Sequence, residues 1–405
     1  MKFNPVVLLL VAFGSVSCAT NSESENSDNF PIFEVNEAIV QSPENVLGEV
    51  TFIPLKISEE SPVQFFGFEP QLAISDSRMF INVDPYINPS IHEFDLEGNH
   101  ILSIDRKGGG PNEYESIDKM GLNQDDNLAI VSRSSLLEFD ENLDIQKREN
   151  LRSAGAYFVN DFHPFDQKRW LVALRGTEPD VNGMFKNFAL FDQDSLTYEF
   201  LPLLAYPASG SGESGSMVPY EDGFLLNFGM SDTIYYYSNE VIEPLLSFHS
   251  GDRSLPNEKR MLSEDQSDEE LEQMIATQTY DVYFGNVEAA GETVMTQVFG
   301  IKPKPMSISE LEELNEAPKD FPVYEVYMHP KLKQIKATKI IPGMSGMPYS
   351  DGKYLYRLLY TEVWNALLES GQLGEQHTAA LVAASEQLND IEDPIIMRYK
   401  INWEN

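Results

Sequence analysis

The chain has 405 residues, with 65 Asp and Glu against 28 Lys and Arg and a formal net charge of −37. That balance excludes a nucleic-acid partner, because little in it would neutralise phosphates; it reads instead as the solubility of an exposed protein. An apolar content of 42%, with 24 Phe and 18 Tyr, is enough for a core, so the chain as a whole is not disordered.

The N-terminus comes first. Residues 1–17 hold an early base (Lys2), an apolar run Val6–Phe13 and the small residues Gly14, Ser15 and Ser17, and Cys18 follows. The apolar run is too short to span a bilayer and fits a signal peptide. Cys18 is the one cysteine, so no internal disulfide is possible. A lone cysteine after small residues resembles a bacterial lipoprotein cleavage site, with Ser15 where Leu is usual. The reading implies cleavage before Cys18, lipid on its thiol and amine, and a membrane anchor without a transmembrane helix. Several acyl chains would hold it, at about 0.8 kcal/mol per buried methylene. Residues 18–45 then read as a lipidated tether, since Ala19–Asn29 is polar and acidic. Acids just after the cysteine also resemble the surface-export signal of Bacteroidetes lipoproteins.

From residue 46 two half-patterns alternate strictly, six times each. One is a tight acidic or Gly turn followed by an apolar run: SDSRMFINV (75–83), DDNLAIVS (125–132), DQKRWLVAL (166–174), EDGFLLNF (221–228), AGETVMTQVF (290–299) and DGKYLYRLL (351–359). The other is a strand with an aromatic at or near its end: IHEFD (91–95), LLEFD (136–140), FALFD (188–192), IYYYS (234–238), VYEVYMH (323–329) and IIMRYKI (395–401). With one strand before the turn and one after the aromatic strand, each repeat holds four antiparallel strands. Such repeats predict an all-β, six-bladed β-propeller over 46–405. Runs apolar on both faces, such as WLVAL, suit blades sandwiched between neighbours. The sixth repeat lacks a fourth strand, and Val50–Ile57 is expected to pair beside Ile395–Ile401 and close the ring.

In this architecture the turns between strands one and two, and three and four, share one face of the disc. All are short. The long segments, Arg175–Lys186, Leu204–Met217, His249–Thr279, Gly300–Pro322 and Tyr360–Pro394, belong to the other face. Helical patterns occupy Ser263–Ala276, Ser307–Ala317 and Thr378–Leu388. This decorated face, with the mouth of the central channel, is the expected working surface.

Catalytic signatures are missing from the sequence. The six histidines are scattered, with no helical zinc pair, nucleophile elbow, phosphate loop or calcium loop. No metal or cofactor is expected. The loop RKGGGPNEY (106–114) has two readings. Backbone amides beside Arg106 and Lys107 hold an anion or a carbonyl, with Glu113 and Tyr114 as further candidates on the same loop; or the loop is a tight crossover with Tyr114 tucked between blades. Asp84 and Tyr86 lie on the same face one blade earlier, and Asp161 and His163, with Asn160, near an inner strand. These are the candidate ligand-binding residues.

The run FDLEGNHILSIDRKGGGPNEY resembles the signature of the six-bladed β-propeller lipoproteins of Bacteroidetes, related to TolB-like and NHL-type propellers, and VTFIPLKI resembles their strand ahead of blade one. The resemblance covers residues 46–140. Glu113 follows Asn112 where the signature has Gly-Glu. It implies an outer-membrane lipoprotein on the periplasmic or surface side, and supplies no catalytic set. Two functions are open: a monomeric, non-catalytic binding or scaffold module for a protein or glycan, or a metal-dependent hydrolase or lyase of the lactonase-like kind with its site in the channel.

Overall fold

The structure, a computed structural model, describes residues 30–57, 70–83, 89–156, 158–175, 185–193, 195–203, 215–228, 231–251, 282–283, 286–299, 323–340, 346–390 and 393–404. Six antiparallel sheets are arranged in a ring. Blade 1 runs Gln71–Ile74, Arg78–Asn82, Ser90–Asp95 and His100–Asp105, from the axis outward. Blade 2 follows with Lys119–Leu122, Leu128–Ser132, Ser135–Phe139 and Ile145–Asn150. Blade 3 has Phe158–Pro164, Arg169–Arg175, Phe185–Asp192 and Ser195–Leu203, and blade 4 has Gly215–Tyr220, Gly223–Phe228, Thr233–Ser238 and Val241–His249. In blade 5 the inner strand is split into Val282–Tyr283 and Glu288–Ala290, both paired to Thr293–Phe299; Val323–His329 and Gln334–Lys339 complete it. Blade 6 is Tyr349–Ser350, Leu355–Leu359, Ile395–Ile401 and, outermost, Leu47–Pro54.

The two sequence patterns are the second and third strands of every blade. The acid of the turn has a defined task. Asp95 Oδ1 accepts from the amides of Glu97 and Asn99, at 3.1 and 2.7 Å. Asp140, Asp166 and Asp351 each take two amides of their own turns in the same way, at 2.7–2.9 Å. A short carboxylate that satisfies turn amides reverses the chain in few residues.

Closure is antiparallel, as expected, with Val50 opposite Tyr399 and Pro54 opposite Ile395. Gly98, at φ +81°, explains the glycine of FDLEGN: a Cβ there would lie 2.2 Å from the Pro54 carbonyl of the closing strand. Lys56 fastens the same corner, its amide donating to Gly98 O and its ammonium to Asn99 Oδ1, both at 2.8 Å.

Packing is interfacial. Six buried apolar clusters fill the six spaces between neighbouring blades. Each fully buried Leu, Ile or Phe contributes about 1.5–3 kcal/mol, so blade contact is the main stabilising term. The connection before Ile395–Ile401 forms two helices, Thr361–Ser370 and Gly374–Ser385, which set Val363, Trp364, Leu367, Leu381 and Ala384 onto the cluster between blades 5 and 6. The expected helix Thr378–Leu388 thus starts and ends earlier, and a further helix precedes it. The expected helices Ser263–Ala276 and Ser307–Ala317 lie outside the described residues.

One element was not foreseen. The segment expected as tether becomes, from residue 30, a strap around the rim. Ile32–Glu34 adds in parallel to the outer strand of blade 4. Gln41 N then donates to Ala337 O of blade 5 at 2.8 Å, and Leu47–Pro54 completes blade 6. The sequence Ile-Phe-Glu-Val alternates, burying Phe33 (4% exposed) and Val35 (2%) while Ile32 stays 57% exposed. Phe33→Ala is therefore expected to lower the free energy of unfolding by about 3 kcal/mol in urea titration, and Ile32→Ala by less than about 0.5 kcal/mol; equal effects would show that the strap is not seated as described.

Candidate functional site

The glycine loop is engaged with itself. Gly110 N donates to Glu113 Oε2 at 2.7 Å, so the anion held by its amide is the chain's own. A Cβ at Gly108 would fall 2.0 Å from that same oxygen, so a larger residue there would push the Glu113 carboxylate aside. Arg106 Nη1 bonds Leu143 O and Asp144 Oδ1, each at 2.9 Å, and Arg148 Nη2 donates to Glu113 O at 2.5 Å, both on blade 2. Lys107 bridges to Tyr114 through the backbone. Tyr114 is fully buried, donates to Ile104 O at 3.2 Å and meets Phe139 edge-on; burial pushes its hydroxyl well above the usual tyrosine range. Arg106, Glu113 and Tyr114 therefore join blade 1 to blade 2. Asp84, Tyr86 and Cys18 lie outside the described residues.

The axis offers a different constellation. The inner strands of blades 2, 3 and 5 carry Lys119, Asp161 with His163, and Glu288. Lys119 Nζ lies 3.1 Å from Asp161 Oδ1. Asp161 also accepts from Phe162 N at 3.1 Å and, across the blade boundary, from Met217 N at 3.4 Å. His163 Nε2–H donates to Met217 O at 3.1 Å. The bulge between Val159 and Asp161 re-aims this strand. Asp161 and His163, singled out in the sequence, thus come together. Lys119 and Glu288 were missed, because no motif marks them and only the ring brings blades 2 and 5 to one axis.

The cluster's electrostatics follow from enclosure. Burial pushes Glu288 up to about 8; Asp161 pushes the same way, while Lys119 and the Ala289 amide oppose it. Burial works against the charge of Lys119, but Asp161 and then Glu288 hold it above the usual lysine range. Burial lowers His163, helped by Lys119 and opposed by Asp161. The cluster is not sealed: the Lys119 side chain is 36% exposed. Phe158, which opens the strand carrying Asp161, is 64% exposed.

Blade 1 holds a second polar chain. Ser90 Oγ is 2.9 Å from His92 Nε2, and Ser103 Oγ is 2.7 Å from both His92 Nδ1 and His100 Nε2. Burial, then His100, lowers His92 to about 4, so it is neutral at physiological pH. Among the described residues no three His, Cys, Asp or Glu side chains converge to hold a metal ion.

Residues 30–287 match the model of DUF4934, a domain of unknown function, over more than half of the chain. The chain belongs to this family. It is similar in structure to a Bacteroides fragilis NCTC 9343 protein described as exported, at 13% identity and a TM-score of 0.66, covering 92% of this chain and 99% of that one. It is also matched by a Bacteroides caccae protein of unknown function, at 11% identity and a TM-score of 0.34, over 73% and 97% of the two chains. The first likeness shows the propeller fold. No curated protein matches the sequence.

Glu288 supplies a pH test. Its folded pKa is raised, so the folded state holds a proton that the unfolded chain releases at lower pH. Stability is therefore lost as pH rises from the ordinary carboxyl range through about 8. Glu288→Gln is expected to remove that slope, matching the parent at pH 4 and exceeding it at pH 9 in thermal unfolding. Parallel curves for the two proteins at every pH would contradict the placement of Glu288.

Proposed function

We propose that this DUF4934 propeller is an exported, non-catalytic binding module that engages an envelope partner, protein or glycan, through its decorated face and channel. The observation that carries the reading is the contrast between the two faces. Short turns of one face consume their own polar groups, as Asp95, Asp140, Asp166 and Asp351 do. On the axis, toward the other face, Lys119 and Phe158 keep exposed surface. Loops and inner strands held by a rigid ring are suited to recognition. The run before Cys18 supports export, and Cys18 itself supports a lipid anchor on the outer membrane. No helix of the described residues is long and apolar enough to cross a membrane.

The test is thermal unfolding of the chain without residues 1–18, with isolated envelope glycans and envelope protein fractions, each with and without EDTA. A rise of several degrees with one fraction, unchanged by EDTA and lost in Phe158→Ala, is the expected result. A midpoint lowered by EDTA and restored by a divalent ion would replace this reading with the metal-dependent hydrolase or lyase.

A further inference from the structure

Away from the axis, blades 5 and 6 enclose a small cavity. Blade 5 presents Glu325, Tyr327 and Thr338 on one face: Thr338 is the cross-strand neighbour of Glu325, and Tyr327 follows two residues along the same strand. Blade 6 faces them with Arg357 and Tyr399, and Pro43 of the strap closes one side. The enclosed volume is about 20 Å³, and a single water needs about 10–15 Å³.

Most polar groups of this wall are engaged. Arg357 Nη2 donates to Glu325 Oε1 and Nη1 to Gly346 O, the latter at 3.1 Å, and Tyr327 donates to Glu325 Oε2 at 2.5 Å. Thr338 is different. It is 5% exposed, and among the described residues its Oγ1 has no hydrogen-bond partner. A buried hydroxyl left so lowers stability unless a small molecule in the cavity satisfies it. The chemistry selects that molecule. Glu325 already has its countercharge in Arg357, so an ion would arrive without a partner of its own. The remaining wall is mainly apolar, and the space holds nothing much larger than water. A neutral molecule that both donates and accepts suits a hydroxyl beside a carboxylate with lone pairs to spare.

We propose that one water molecule is bound between blades 5 and 6, hydrogen-bonded to Thr338 Oγ1 and the Glu325 carboxylate, with the Tyr399 hydroxyl as its third polar neighbour. It enters past Lys339, the exposed member of the wall. The water ties the outer strand of blade 5, which carries Thr338, into the ion pair that crosses to blade 6. This site is separate from the decorated face and stands whatever partner that face binds.

The test is a high-resolution crystal structure of the protein and of Thr338→Val, with thermal unfolding of both. Valine keeps the branched shape and the strand preference and removes the hydroxyl. Wet and dry cavities predict opposite signs. With water bound, the substitution removes one of its partners, and the midpoint falls by roughly 2 °C. In a dry cavity it removes an unpaired polar group, and the midpoint rises. The parent structure should show one water about 2.5–3.0 Å from Thr338 Oγ1, absent from the variant. A dry cavity in the parent, xenon bound there under pressure, or a raised midpoint in Thr338→Val would each overturn the proposal.

Discussion

The innermost strand of each blade has one edge that no further strand can pair, and backbone groups left so cost stability unless something else satisfies them. The chain meets this constraint with side chains that reach from one blade to the next. Gln71 of blade 1 donates to Ile117 O and Asp118 O just before the inner strand of blade 2, at 3.0 and 3.1 Å. Lys119 pairs with Asp161, and Asp161 and His163 take the amide and carbonyl of Met217. Ser216 bonds Val287 in both directions, at 3.2 and 3.3 Å. Ser350 donates to Ala289 O, and Tyr349 to Pro70 O, which returns the circuit to blade 1. Each link contributes only about 1 kcal/mol, far less than the apolar clusters behind it. What the circuit adds is position: polar groups on the axis are held by fixed partners.

The same constraint sets which axial side chains keep accessible surface. Most polar side chains of the inner ring are spent on neighbours, Asp161 above all. Lys119 pairs with Asp161 and keeps exposed surface besides, and burial raises the carboxyl of Glu288. The glycine loop, more conspicuous in the sequence, proves to be a joint whose amide, guanidinium and hydroxyl groups are satisfied within blades 1 and 2. The buried pair Arg357–Glu325, with Tyr327 donating to Glu325 at 2.5 Å, is likewise a joint, between blades 5 and 6.

Second and third strands were legible in the sequence because two independent signals coincide there: a carboxylate that caps its own turn and an apolar run buried on both faces. The closing strand was legible because the sixth repeat was one strand short. Inner strands were less so. Lys119–Leu122, Glu288–Ala290 and Tyr349–Ser350 are short and partly polar, and periodicity needs length. The strap Ile32–Glu34 was hidden by its acidic surroundings, although Phe33 and Val35 alternate correctly. Helix Thr361–Ser370 carried a readable signal in Val363, Trp364 and Leu367, on one helical face. Asp161 and His163 could be suspected from their strand, but Lys119 and Glu288 could not, since their proximity belongs to the closed ring and not to any stretch of chain.

Native-state hydrogen exchange tests the closed ring most directly. The account predicts that amides of the six inner strands, of Leu47–Pro54 and of Ile395–Ile401 become exchangeable in one common step, with the same free energy and the same denaturant dependence. Earlier opening of Leu47–Pro54 and Ile395–Ile401, with the other blades still protected, would show that blade 6 is a separable flap. The polar groups on the axis would then lack the fixed partners that hold them in place.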